Sequence, residues 1–242
     1  MVGPVCPPQL RAWNASDKSK DKYEFKAKAG FPGARKMKAF SQTEVIRAYR
    51  FYAPFYDQLY GLVLDRGRVA LSQAVTELKP ASLLEIGVGT GLTLDRYPAE
   101  SKIVGIDVSQ EMLELARRRK SRLNGRDVRL EIMDAEAMSF ADASFDCVTI
   151  PYVLSVTPHP ERLIAEARRV CRKNGTIFIL NHFSGSAFWW LLERAVRPLS
   201  DRIGFRSDFA FADHILKHDW KIRSVKSVNL FGLSRLVELG NS

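Results

Sequence analysis

At residues 82–91 a short apolar run, Ser-Leu-Leu-Glu-Ile, passes straight into Gly-Val-Gly-Thr-Gly. Glycines at alternate positions let the backbone turn sharply and bring main-chain N–H groups against a ligand. Four further short apolar runs follow, at residues 102–107, 128–133, 145–150 and 176–181. Helical periodicity separates several of them, over residues 110–123 (Met112, Leu113, Leu115, Ala116) and 161–171 (Leu163, Ile164, Ala167, Val170). Another amphipathic stretch, residues 66–78, precedes the first run and places Val69, Leu71, Ala74, Val75 and Leu78 on its apolar side. Such alternation predicts an α/β fold, a Rossmann-like doubly wound sheet of five parallel strands. Residues 221–229 and 234–239, linked through Phe231-Gly232, add a C-terminal antiparallel hairpin.

The chain has 242 residues, room for one such domain and an appendage. With 46% apolar and 26% charged residues it has the composition of a globular core, which excludes a wholly disordered, collagen-like or coiled-coil chain. Cys6, Cys147 and Cys171 are too far apart for a disulfide framework or a paired-cysteine metal site, which fits a reducing, cytoplasmic compartment, and no metal is expected. No apolar stretch reaches the ~20 residues of a membrane span.

The net charge is +10, and residues 1–50 hold eleven basic side chains against four acidic ones. Residues 1–40, rich in proline and glycine, read as a mobile basic arm, either a solvated tail or an electrostatic contact for anionic lipid. Residues 41–242 are expected to form the folded domain. Within it, Ser41-Gln42-Thr43-Glu44 has the form of a capping box that starts the N-terminal lid helices of 41–80. The mixture of Phe188, Trp189, Trp190, Arg194, Arg197, Arg202 and Arg206 reads 183–218 as a lipid- or substrate-side insertion, and suits equally a surface held at a lipid boundary or a buried lid over a small aromatic ligand.

Asp107 closes the second strand, 20 residues after Gly87, where a carboxylate accepts ribose hydroxyls. Asp134 closes the third, within reach of an adenine amine. Either would also serve as a turn or cap residue. Gly-x-Gly-x-x-Gly of a dinucleotide site would require glycine at 92, where Leu92 stands.

The Glu-x-Gly-x-Gly-x-Gly loop, the Asp after strand two, Asp134-Ala135 after strand three and Ser109-Gln110-Glu111-Met112-Leu113 together resemble the class I S-adenosylmethionine-dependent methyltransferases, over roughly residues 41–242. The resemblance implies S-adenosyl-L-methionine as cofactor, with Glu85, Gly87, Gly89, Gly91, Asp107, Met112, Asp134, Ala135 and Ile150 around it. For Met112, plain core packing competes with an adenine contact.

Further matches are finer. Residues 150–161, Asn181-His182-Phe183 and Asn229-Leu230-Phe231-Gly232-Leu233 are similar to the bacterial phospholipid N-methyltransferases, which methylate phosphatidylethanolamine toward phosphatidylcholine. Residues 49–61 are similar both to that group and to the ubiquinone/menaquinone C-methyltransferases. Asn174-Gly175 stands where that group usually has Pro-Gly-Gly, and serves a turn equally well. The resemblance implies a phospholipid acceptor at an anionic membrane surface and a peripheral location. Nucleic-acid methylation is disfavoured, since Ile150-Pro151-Tyr152-Val153 lacks the polar residue that holds a base amine.

Tyr49, Tyr52, Tyr56 and Tyr60 share one helical face, allowing for a break at Pro54. The stripe suits either packing on the domain or a lid whose rings attract sulfonium and ammonium groups. An amine of pKa near ~10 is protonated at neutral pH, so its proton must be taken up. His182, just past strand five, is the candidate base, with Tyr52, Tyr56 or Tyr152 as relays.

Overall fold

The computed structural model describes residues 64–182, 221–229 and 234–241. The basic arm, most of the expected lid with Tyr52 and Tyr56, and the 183–218 insertion lie outside the described residues, as does the side chain of His182.

The chain enters through helix α1 (Asp65–Leu78). Its end is set by Lys79, which turns left-handed at φ 49° and donates its N–H to Val75 O at 3.0 Å before Pro80. The buried face is Gly67, Arg68, Leu71, Ser72 and Val75. Of the expected apolar side, Leu71, Ala74 and Val75 pack inward, whereas Val69 and Leu78 are exposed. At the start of the helix the Gly67 N–H donates to Asn229 Oδ1 at 2.7 Å and Arg68 lies over the Tyr152 ring, so this edge faces the end of the sheet.

Strand β1 (Ser82–Ile86) then leads into the glycine loop, followed by β2 (Lys102–Asp107) and helix α2 (Gln110–Lys120). The Ser109 hydroxyl caps α2 by accepting the Met112 N–H at 3.3 Å, and Arg117, Arg118, Arg119 and Lys120 occupy its last turn, where cations complement the helix dipole. Next come β3 (Val128–Ile132), β4 (Phe145–Pro151), helix α3 (Pro160–Val170) with proline at its start, and β5 (Cys171–His182). Strands β6 (Lys221–Val228) and β7 (Ser234–Gly240) complete the fold.

The seven strands form one sheet in the order β3-β2-β1-β4-β5-β7-β6. The first five are parallel, and β7 pairs antiparallel with both β5 and β6. The expected doubly wound sheet with its hairpin is therefore what the chain builds. One boundary differs. β5 begins at Cys171, five residues ahead of the expected Thr176, because Cys171 pairs with Phe145 before a bulge. Asn174, at φ 66°, and Gly175 make that bulge, so the Asn-Gly turn lies within the strand.

Alternate strand residues feed two cores. On one face Leu83, Ile103, Cys147 and Phe178 pack with Leu71 and Val75 of α1 and Leu113 of α2. On the other, Leu84, Ile106, Val148 and Ile177 pack with Leu163, Ile164 and Ala167 of α3. Among the described residues no helix is long and apolar enough to cross a membrane.

Candidate functional site

Strand β1 pairs with β2 on one side and with β4 on the other, and the chain leaves it toward β2. The order of winding thus reverses between β1 and β4, and in open α/β sheets ligands bind in the crevice at the carboxyl ends of such strands. A cleft open to solvent lies there. Its walls come from the segments that follow β1, β2, β3 and β4.

The glycine loop forms one wall. Gly87 and Val88 donate their N–H groups to Ile106 O at 2.8 and 3.0 Å, which seats the loop against the end of β2. Gly87 has φ 71°, and a Cβ there would lie 2.2 Å from Val153 Cγ2, so only glycine fits. Gly89, at φ 54°, is different: a Cβ would meet nothing nearer than Gly87 O at 4.0 Å. Its empty side gives a ligand direct approach to the backbone.

Asp107 lies between loop and helix. Its Oδ2 accepts the Gly89 N–H at 2.9 Å and its Oδ1 the Ser109 N–H at 2.9 Å. Burial nevertheless raises its pKa, against the lowering effect of those backbone donors. A carboxylate oxygen that accepts one backbone donor has a further lone pair, the acceptor capacity that vicinal hydroxyls need. Asp134 is held in a turn by the Glu136 N–H at 2.9 Å and also lines the cleft, with Ala135, Met133 and Ile106. Met112 is 2% exposed and lines it as well, so core packing and cleft wall are one role.

Three expected contacts fall elsewhere. Glu85 turns away from the cleft and is buried, its two oxygens accepting the Thr93 hydroxyl at 2.6 and 2.7 Å. Burial pushes its carboxyl up to about 7, opposed by Thr93, Tyr97 and the Arg68 charge. Gly91 packs α2 closely, since a Cβ would lie 2.8 Å from Leu94 Cδ1 and 3.3 Å from Ala116 Cβ. Ile150 is buried in the α3-side core. For the two strand residues the pleat explains this, since their chain neighbours Ile86 and Pro151 line the cleft instead.

Tyr152 lines the cleft, but its hydroxyl donates to Leu64 O at 3.3 Å and accepts from Asn229 Nδ2 at 3.1 Å. Its single proton is therefore engaged, and burial raises its pKa. His182 pairs with Ser234 at the end of β5. Beside it, Asn181 is fully buried, accepts the Ser155 hydroxyl at 3.2 Å and leaves its Nδ2 without a hydrogen-bond partner among the described residues.

Glu136 was not anticipated. Its Oε1 accepts the Thr157 hydroxyl at 2.6 Å and the His159 N–H at 2.8 Å, bridging the walls after β3 and β4. Its place two residues past Asp134 was the signal available. Among the described residues no cluster of His, Cys, Asp or Glu could hold a metal. An open backbone loop, carboxylates at two strand ends and apolar side chains between them fit a nucleoside-bearing ligand.

Comparison with known proteins agrees with this geometry. A family model described as a methyltransferase domain matches residues 84–179. The phosphatidylethanolamine N-methyltransferase of Cereibacter sphaeroides is 38% identical over 168 residues, covering 69% of this chain and 82% of that protein. A demethylmenaquinone methyltransferase of Thermotoga maritima is 26% identical over 182 residues, covering 71% and 73%. Among solved structures, a SAM-dependent methyltransferase from Thermotoga maritima superposes with a TM-score of 0.62 at 22% identity, covering 81% of this chain and 99% of that one.

Proposed function

This chain belongs to the S-adenosylmethionine-dependent methyltransferases, with S-adenosyl-L-methionine as its cofactor, and we propose that its acceptor is the amino group of phosphatidylethanolamine and its methylated intermediates. The observation that carries this reading is the 38% identity to the Cereibacter sphaeroides enzyme across 82% of that protein.

When bound, the cofactor supplies a methyl group already activated on a sulfonium. What remains for the protein is alignment, exclusion of water and removal of a proton. Asp107 would take the ribose hydroxyls and hold the Gly89 backbone in place for the rest of the cofactor. Asp134, Ala135 and Met112 would bind the adenine. His182, carried at the carboxyl end of β5, is proposed as the base that accepts the ammonium proton. Tyr52 and Tyr56 would border the acceptor amine. The basic arm of residues 1–40 and the arginine-rich 183–218 segment would hold the enzyme peripherally on anionic membrane at the cytoplasmic face, each lysine or arginine near the surface contributing roughly 1 kcal/mol.

The test is turnover of methyl-labelled cofactor with phosphatidylethanolamine vesicles, a demethylated quinone and RNA in parallel. Label in phosphatidyl-N-methylethanolamine and its successors is the expected result. Label confined to the quinone would replace this reading with C-methylation, the second reading that the demethylmenaquinone methyltransferase relatives favour. Removal of residues 1–40 should weaken sedimentation with anionic vesicles, and so should high salt. Equal sedimentation without the arm would exclude it from membrane binding.

A further inference from the structure

Tyr152 follows β4 with φ 60°, a left-handed conformation rare for an aromatic residue. Its N–H donates to Leu180 O at 2.6 Å, extending the pairing with β5 beyond Pro151. Two distant parts of the chain meet at its side chain. Leu64 O, at the start of α1, accepts its hydroxyl proton. Asn229, at the end of β6 and itself at φ 65°, donates Nδ2 to the same hydroxyl and to Ser234 Oγ at 2.7 Å. The other end of that amide, Oδ1, accepts the Gly67 N–H at 2.7 Å. Arg68 lies over the ring, 5.6 Å from its centroid. The fit around Gly67 is tight, since a Cβ there would lie 2.3 Å from the Tyr152 hydroxyl oxygen.

The residue after Tyr152 is Val153, whose Cγ2 fills the space in which a Cβ on Gly87 would stand. The backbone turn at Tyr152 therefore decides where Val153 meets the glycine loop. We propose that Tyr152 and Asn229 are a positioning pair for the cofactor cleft: by tying the first turn of α1 and the end of β6 to the end of β4, they hold Val153 against Gly87 and fix the cleft's width. This rests on the reading that the cleft takes the adenosyl cofactor. Neither residue moves a proton in the reaction.

The experiment measures binding of S-adenosylhomocysteine, the demethylated product, by calorimetry on the full chain, for Tyr152→Phe, Asn229→Ala and the double variant. Thermal unfolding is followed in parallel. Each single variant should bind about three- to tenfold more weakly, and the double no more weakly than the worse single. With S-adenosylmethionine and phosphatidylethanolamine vesicles saturating, the shape of the pH profile of kcat should stay as in wild type. Unchanged affinity in the single variants, or losses that simply add, would overturn the pairing. A Tyr152→Phe variant that binds normally but loses kcat with an altered pH profile would overturn it in favour of a proton relay. Asn229→Asp keeps the acceptor for Gly67 but lacks the donor for Tyr152, and stands in if the alanine variant does not fold. Asp107→Ala, measured alongside, separates the two levels. Normal binding by that variant would sink the cleft assignment itself, whereas failure of the pair alone leaves it standing. No methyl acceptor enters the binding measurements.

Discussion

The carboxylate of Asp107 reaches back 18 residues to accept the N–H of Gly89 at 2.9 Å, so the acid at the end of β2 and the middle glycine of the loop after β1 form one rigid unit. Asp107→Ala removes the acceptor for two backbone donors, those of Gly89 and Ser109. We expect a stability loss of about 1–3 kcal/mol and a fall of tenfold or more in affinity for S-adenosylhomocysteine, at roughly 1.4 kcal/mol per tenfold. Chemical unfolding and calorimetry on the same preparation would check both. A stable variant with native affinity would remove Asp107 from the site.

Two glycines in the same loop should fail in different ways. Gly87→Ala forces a methyl onto Val153 at a left-handed backbone position and should cost stability and binding together. Gly89→Ala meets open space, so its stability cost should be about 1 kcal/mol, from the left-handed backbone alone. Its methyl projects where a ligand would approach, so the expected loss is mainly in affinity. Equal stability losses for the two variants would contradict this account.

Glu85 gives a pH dependence of defined sign. Burial raises its carboxyl from 4.5 to about 7 in the folded state, so the folded protein holds that proton more tightly than the unfolded chain. The associated stability is fully present below about pH 4.5 and is lost as pH rises through about 7. On the order of 3 kcal/mol is involved. Wild-type thermal stability should therefore fall between about pH 5 and pH 8, and Glu85→Gln should flatten that decline. An identical slope in the variant would assign the titration to another group.

Asn241 is a structural residue far from the cleft. Its Nδ2 donates to the carbonyls of Arg168, Cys171 and Arg172 at 3.0, 2.8 and 3.2 Å, across the junction of α3 and β5. Its backbone also exchanges hydrogen bonds with Asn174 and Gly175 in the bulge. Asn241→Ala should lower stability by about 1–3 kcal/mol with cofactor affinity unchanged. Weakened binding at native stability would show that the bulge is coupled to the site.

Much of this molecule is legible in local pattern. Strand and helix periods placed β1 through β7 and all three described helices to within a few residues, because each element buries a face that its own sequence marks. Asp107 and Asp134 were recognisable because they stand at strand ends, where the winding of the sheet delivers them to one crevice. The early start of β5 was not legible, since Cys171 is strand only through its pairing with Phe145.

The sequence by itself determined the sheet, its winding and the backbone loop that receives a nucleoside, since these depend on spacings within about thirty residues of chain. Only the tertiary structure decided which way each side chain near that loop points. The pleat sent Glu85 and Ile150 into buried surroundings away from the cleft, and Glu136 became a bridge only when Thr157 and His159 were brought to it. Tyr152 reads in one dimension as a phenol available for chemistry. Its hydroxyl is instead committed to Leu64 and Asn229, which lie 88 residues before it and 77 after it. Hydrogen-bond partners at such separations follow from the packing of whole elements, which no local pattern encodes.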